Sequence, residues 1–253
     1  TRVRSSAASD VYKRQVDQSL ARFVKSGKLS ASDAAAVAAR IKYQTDLRQA
    51  VHESSVVIEA VPEILELKRE VLGAAASAAA GDALLATNTS QLSITTIGAG
   101  LGDAAARLIG MHFFNPPVMM RLAELICGLT TSAATLQRAQ EFCEGLGKTV
   151  VVCRKDSPGF LTSRAYAALR LECVRIVEEG LATPADMDTV FRLGFNFPMG
   201  PFELGDFNGV DTFVHVLDSL TDAYGERFRP TPMLRNMIAA NHLGRKSGRG
   251  FFE

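Results

Sequence analysis

SVVIEAV, residues 55–61, is nearly all apolar and rich in β-branched side chains, and Pro62 ends it. Such a run is the composition of a strand in a parallel sheet covered on both faces. A helix is expected from about residue 64 to the break at Gly81, followed by a second apolar run, ALLATN (83–88), and a third, ARLIGMHFF (106–114). A helical stretch at 133–146 leads into a fourth, TVVVC (149–153). Strands alternating with helices imply βαβ units with right-handed crossovers and a parallel sheet, at whose carboxyl edge ligands collect. The expected fold is therefore an α/β Rossmann-like domain followed by something else, because the strand signals stop at Cys153.

Beyond that point Ser157 and Pro158 look like an N-cap with proline at the first helical position, opening a long helix that Gly180 stops. Ala165, Leu169, Cys173, Ile176 and Val177 are expected to hold one face of it. Thr183, Pro184 and Asp186 repeat the cap, proline and capping-box arrangement, and the rest reads as helix and loop. Upstream of the first strand, Leu20, Phe23 and Val24 make an apolar stripe, and Ser30 with Asp33 opens an alanine-rich helix, so two helices precede the sheet. Residues 1–15, TRVRSSAASDVYKRQ, show neither periodicity and are expected to be a non-native leader. The expected division is thus leader 1–15, α/β domain 16–155 and all-α domain 156–253.

Composition narrows the function classes. The 253 residues are 47% apolar and 22% charged, enough to close a core, and 28 basic against 27 acidic residues leave no field to draw in nucleic acid or an anionic membrane. Cys127, Cys143, Cys153 and Cys173 form no Cys-x-x-Cys pair and the four histidines lack ligand spacing, so neither a disulfide scaffold nor a metal site is expected. No apolar stretch approaches the roughly 20 residues that span a bilayer. A reducing cytoplasm is the expected compartment.

Polar residues gather where the chemistry of sheet ends would place them: Glu63 after the first strand, Asn88, Thr89 and Ser90 after the second, His112 and Asn115 at the end of the third. Taken alone, a histidine inside GMHFFNPP is as readily a satisfied core residue as a catalytic one, and NTS is an ordinary loop.

HFFNPPVMMRLAEL (112–125), preceded by NTSQL (88–92) and followed by KDSPGFLTSR (155–164), resembles the 3-hydroxyacyl-CoA dehydrogenase family. VIEAVPE (57–63), MGPFEL (199–204) and GRKSGRGFF (244–252) fit the same family in the same order, so the likeness runs from about residue 16 to the carboxyl end. It implies NAD-dependent oxidation of an L-3-hydroxyacyl-CoA, with a short acyl chain such as 3-hydroxybutyryl, to the 3-oxoacyl-CoA, in a homodimer formed through the helical domain. It implies His112 as general base held by Glu124, with Ser90 near the substrate oxygen. Glu63, Lys68, Asn88 and Asn115 fall at positions that border the cofactor, and Ser19 and Lys25 on a helix that touches CoA. An imidazole suits the task, since the hydroxyl must lose a proton as hydride leaves the same carbon.

Two departures qualify the likeness. Where the family usually has asparagine before the arginine of the PGF motif, this chain has Ser163, which replaces an amide by a single hydroxyl on the active-site wall. The chain also holds no Gly-x-Gly-x-x-Gly turn; Gly98, Gly100 and Gly102 are mis-spaced and are expected to form a flexible loop, so the resemblance implies an opening βαβ unit missing from the amino terminus. Two other readings stay open at this level: a dehydrogenase of the same family acting on a hydroxy acid without CoA, like the gulonate dehydrogenase and lambda-crystallin branch, or an inactive fragment that only dimerises.

Overall fold

A computed structural model describes residues 5–252, with side chains from residue 11 onward. Three helices, α1 (Ser5–Lys25), α2 (Ala31–Arg40) and the short α3 (Leu47–Val51), lead into β1 (Val56–Glu59). Then come α4 (Leu65–Ala78), β2 (Leu84–Thr87), α5 (Ile94–Gly98), a 3₁₀ turn at Gly102–Arg107, β3 (Leu108–Phe113), β4 (Leu122–Ile126), α6 (Ala133–Gly145) and β5 (Thr149–Cys153). The five strands lie side by side in chain order. β1, β2 and β3 are parallel, β4 runs antiparallel to β3, and β5 is parallel to β4.

Period-two alternation sorts the strand residues between two covered faces. On one face Leu85, Leu108 and Ile126 pack with Leu72 of α4, Ile94 and Ile97 of α5, and Phe160. On the other, Leu84, Ile109, Met111, Ala123 and Leu125 pack with Ala139 and Cys143 of α6. Each fully buried leucine or isoleucine in these layers contributes roughly 2 kcal/mol of transfer free energy. Gly110 permits the close approach of α5: a Cβ there would lie 2.7 Å from the Ile94 side chain and 2.9 Å from that of Ile126. His112 follows Leu108 and Gly110 on that face, and Glu124 precedes Ile126 on it, so alternation alone turns both polar side chains the same way.

The remainder is helical: α7 (Thr162–Glu178), α8 (Pro184–Thr189) running into a π turn at Val190–Gly194, α9 (Pro201–Asn208), α10 (Val210–Tyr224), a 3₁₀ turn at Glu226–Phe228, and α11 (Pro232–Ala239). Leu171 and Val174 of α7, Phe202 of α9, and Val214 and Leu217 of α10 close its core. Thr183 and Asp186 form the expected capping box on α8, and Ser30 caps α2. Among the described residues no helix is long and apolar enough to cross a membrane.

Several expectations are corrected. The sheet is mixed, not wholly parallel, because LAELI (122–126) folds as β4, a strand the sequence reading did not contain. The long helix starts at Thr162: Gly159 (φ +74°) and Phe160 (φ +49°) take left-handed conformations that no helix tolerates, and Ser157 engages the Tyr224 hydroxyl instead of capping. The buried stripe of α7 runs through Ala167, Arg170, Leu171, Cys173 and Val174, whereas Ala165 is exposed. Three helices, not two, precede the sheet. The glycines at 98–102 span the end of α5, a short turn at 99–101 and the start of a 3₁₀ helix.

Candidate active site

The antiparallel register of β3 and β4 sets His112 opposite Glu124. The ring Nδ1 lies 3.1 Å from Glu124 Oε2, with His112 7% exposed and Glu124 wholly buried. Two more donors reach Glu124 from the helical domain: the Leu161 and Thr162 N–H groups, 2.8 and 3.2 Å from Oε1. These are orphan donors at the start of α7, whose dipole favours a negative charge there. The Thr162 hydroxyl donates to Oε2 at 2.9 Å. Burial pushes the Glu124 carboxyl up, but the hydrogen bonds from His112, Leu161 and Thr162 outweigh it and hold the group below its ordinary value of 4.5. The partner of the imidazole is therefore ionised at neutral pH.

Aromatic rings wall in the imidazole. Phe114 lies tilted against it with centroids 4.7 Å apart, and Phe160 meets it nearly edge-on at 6.2 Å. The left-handed turn at Phe160 both presents that ring and turns the next two N–H groups toward Glu124. The ring's Nε2 has no hydrogen-bond partner among the described residues, so one nitrogen is anchored and the other is available to a reacting proton.

The carboxyl ends of β1 and β2 carry a second network. Lys68, 1% exposed, donates to Glu59 Oε1 at 2.9 Å and to the Val61 carbonyl at 3.1 Å, and lies 3.3 Å from Glu63 Oε2. Its three donors are thereby used. Glu59 also accepts from the Val61 N–H and the Thr87 hydroxyl, both at 2.6 Å. Glu63 accepts from the Thr89 hydroxyl and, at 3.1 Å, from the Ser90 N–H. Lys68 thus orders Glu63, and Glu63 orders the Ser90 loop.

Asn88 Oδ1 accepts from the Phe113 N–H at 2.9 Å, which fixes the amide and leaves its Nδ2 with no partner among the described residues. The Ser90 side chain is exposed beside it, and Ser163 Oγ reaches the Ser90 carbonyl at 3.5 Å, the outer limit of a hydrogen bond. Free amide and hydroxyl donors at the carboxyl ends of parallel strands fit the carboxamide and ribose of a nicotinamide cofactor. The structure therefore draws His112, Glu124, Asn88, Ser90, Ser163 and Glu63 to one end of the sheet. Asn115 lies exposed in the loop after β3 without a side-chain hydrogen bond among the described residues. Ser19 and Lys25 sit apart on α1, Ser19 accepting from Arg22 at 3.1 Å and Lys25 exposed. The α1–α2 hairpin leans toward the loop after β3, where Lys28 Nζ is 3.8 Å from Met119 Sδ.

Sequence reasoning missed Glu59, Phe160 and Thr162. Glu59 had a signal, a carboxylate inside an otherwise apolar strand, which implies a buried partner. Thr162 had none, because its contact depends on how α7 meets β4.

Comparisons with known proteins agree along the whole chain. Residues 3–157 match the profile of the 3-hydroxyacyl-CoA dehydrogenase NAD binding domain, and residues 159–253 match that family's C-terminal domain. A probable 3-hydroxybutyryl-CoA dehydrogenase of Bacillus subtilis is 38% identical over 247 residues, 97% of this chain and 85% of that protein. The mouse mitochondrial hydroxyacyl-coenzyme A dehydrogenase is 41% identical over 211 residues, 83% of this chain and 67% of that protein. Among solved structures, the (S)-3-hydroxybutyryl-CoA dehydrogenase of Ralstonia eutropha superposes with a TM-score of 0.91 at 38% identity, covering 98% of this chain and 87% of its own.

Proposed function

Because the chain belongs to the 3-hydroxyacyl-CoA dehydrogenase family, an NAD-dependent group of oxidoreductases, we propose that it interconverts a short-chain L-3-hydroxyacyl-CoA, such as 3-hydroxybutyryl-CoA, and the 3-oxoacyl-CoA, with His112 as the acid–base group. The observation that carries this reading is the buried His112–Glu124 pair with one ring nitrogen left free. Bound NAD supplies a hydride acceptor. Asn88, Ser90 and Glu63 are the residues that would hold its nicotinamide half, with Lys68 behind them as the group that keeps Glu63 in place.

In the oxidative direction His112 Nε2 takes the hydroxyl proton while Nδ1–H stays on Glu124. The ionised carboxylate fixes the tautomer and stabilises the imidazolium that forms. Ser90, with Ser163 next to it, offers a hydroxyl to the substrate oxygen. Phe114 and Phe160 keep water from the ring. In reduction the imidazolium returns the proton to the new alkoxide.

The short acyl chain is supported by relatives from Bacillus subtilis and Deinococcus radiodurans named as probable 3-hydroxybutyryl-CoA dehydrogenases. The CoA handle is assigned to the α1–α2 hairpin, with Ser19 and Lys25, since that hairpin borders the loop that follows His112. A homodimer through the helical domain is supported by the exposure of Leu181, Leu193 and Phe195 on one stretch of it. Four unpaired thiols fit a reducing compartment such as the cytoplasm.

The test is an NADH absorbance assay of the purified protein, carrying a family-like opening βαβ unit joined to its amino terminus, with 3-hydroxybutyryl-CoA, a long-chain 3-hydroxyacyl-CoA and free 3-hydroxybutyrate. Activity with the short thioester above the other two is expected. Equal activity on the free acid would sink the CoA assignment.

A further inference from the structure

We propose that Thr162 is a positioning residue whose hydroxyl sets how strongly Glu124 holds the His112 ring. The inference rests on the assignment of His112 as the acid–base group and goes beyond it. A carboxylate has about four acceptor sites, and those of Glu124 are filled: two by the N–H groups of Leu161 and Thr162 on Oε1, and two on Oε2 by His112 Nδ1 and Thr162 Oγ1. Thr162 supplies the only hydroxyl in this set, and it lands on the oxygen that the imidazole needs. Each donor on that oxygen draws off charge that would otherwise stabilise the imidazolium. The hydroxyl consequently weakens the carboxylate's hold on the imidazole, while it also prevents the carboxylate from turning away.

Other groups near the pair offer no comparable control. Burial, with Glu124 nearby, pushes the Cys153 thiol at the end of β5 up, so it is neutral. Asp156 is held by the Ser93 hydroxyl and the Thr95 N–H at 2.6 and 2.7 Å. Arg164 of α7 lies 4.0 Å over the Tyr224 ring, and Arg154 and Lys155 are exposed. Thr87 at the end of β2 is bound to Glu59, and Phe114, just past the end of β3, is uncharged.

The experiment follows the His112 ring by NMR in the purified protein, in which it is one of four histidines, beside pH profiles of both reaction directions. Thr162→Val, which keeps the shape and removes the hydroxyl, should move the protonation midpoint of the ring up by about half a pH unit. The acid limb of oxidation and the alkaline limb of reduction should move with it, whereas Thr162→Ser should titrate like the parent. Thr162→Ala provides a second hydroxyl-free variant with the same expected shift if the valine packs badly. A purely structural role would lower the rate plateaus and leave midpoint and limbs in place, and that result overturns the proposal. Glu124→Gln separates the two claims: if it leaves the ring titration unmoved, the base assignment itself fails, but if it moves the titration and the Thr162 variants do not, only the present inference is lost.

Discussion

His112 and Glu124 are register partners across the antiparallel β3–β4 ladder, 12 positions apart in the chain and with 3.1 Å between ring nitrogen and carboxylate oxygen. Their contact follows from strand pairing, which fixes both Cβ directions, and does not depend on a loop conformation. A pair built in this way is preorganised by the sheet, so the proton transfer proposed for it would carry little reorganisation cost.

Removal of the base should therefore be severe. His112→Ala should lower turnover by on the order of 100- to 10,000-fold, the usual worth of a positioned acid or base, and Glu124→Gln by nearly as much. Retention of more than about a tenth of activity by His112→Ala would assign the proton to another group.

Ser163 stands where the family usually has asparagine, and its hydroxyl lies against the Ser90 carbonyl. Ser163→Asn should stay active, while Ser163→Ala should lose about 1 kcal/mol, several-fold in kcat/KM. Steady-state kinetics on the alanine variant decide the matter: parent-like turnover and KM would make this serine filler.

Acid titration should expose the contribution of Glu124 to stability. Its carboxyl is held below 4.5 in the fold, so the stabilisation it provides is complete above that pH and is lost as pH falls through the lower, folded value. The stability difference between parent and Glu124→Gln, measured by urea denaturation, should narrow below about pH 4.5. A difference that stayed constant to pH 3 would contradict the depressed value.

Lys68 is buried against two carboxylates, and removing it strands them both. Lys68→Met should cost roughly 3 to 5 kcal/mol in chemical denaturation and loosen the Ser90 loop. A loss under about 1 kcal/mol would mean that water or relaxation replaces the ammonium.

The exposed Leu193 and Phe195 should lie within a subunit contact. Light scattering is expected to give a dimeric mass for the parent and a monomeric one for Leu193→Arg with Phe195→Glu. A parent monomer at micromolar concentration would remove the assembly from the proposal.

Apolar runs of three or more residues made β1, β2, β3 and β5 readable despite Glu59 and His112, with strand ends placed within about two residues. β4 was unreadable because a buried-strand search rewards apolar continuity, and Glu124 splits this strand into two short apolar pairs. The start of α7 failed differently. Ser157 and Pro158 satisfy every local rule, but a non-glycine left-handed residue at Phe160 is imposed by tertiary contacts and leaves no local trace. His112 and Glu124 were paired through resemblance, since nothing in their spacing announces contact. Thr162 lay outside both routes, being visible only once two domains were set against each other.

Glu124 is presented by one half of the molecule and secured by the other: its backbone belongs to the sheet, while three of its four donors come from Leu161 and Thr162 past the domain joint. The proton transfer proposed for His112 would in this sense be a gauge of interdomain docking. A nick in the connection between Cys153 and Thr162, or a sideways slip of the helical half, would spare both strands and their ladder yet leave the imidazole with an unmoored counter-ion. Loss of turnover would then precede any loss of secondary structure, and the enzyme would fall silent while it still looked folded to circular dichroism.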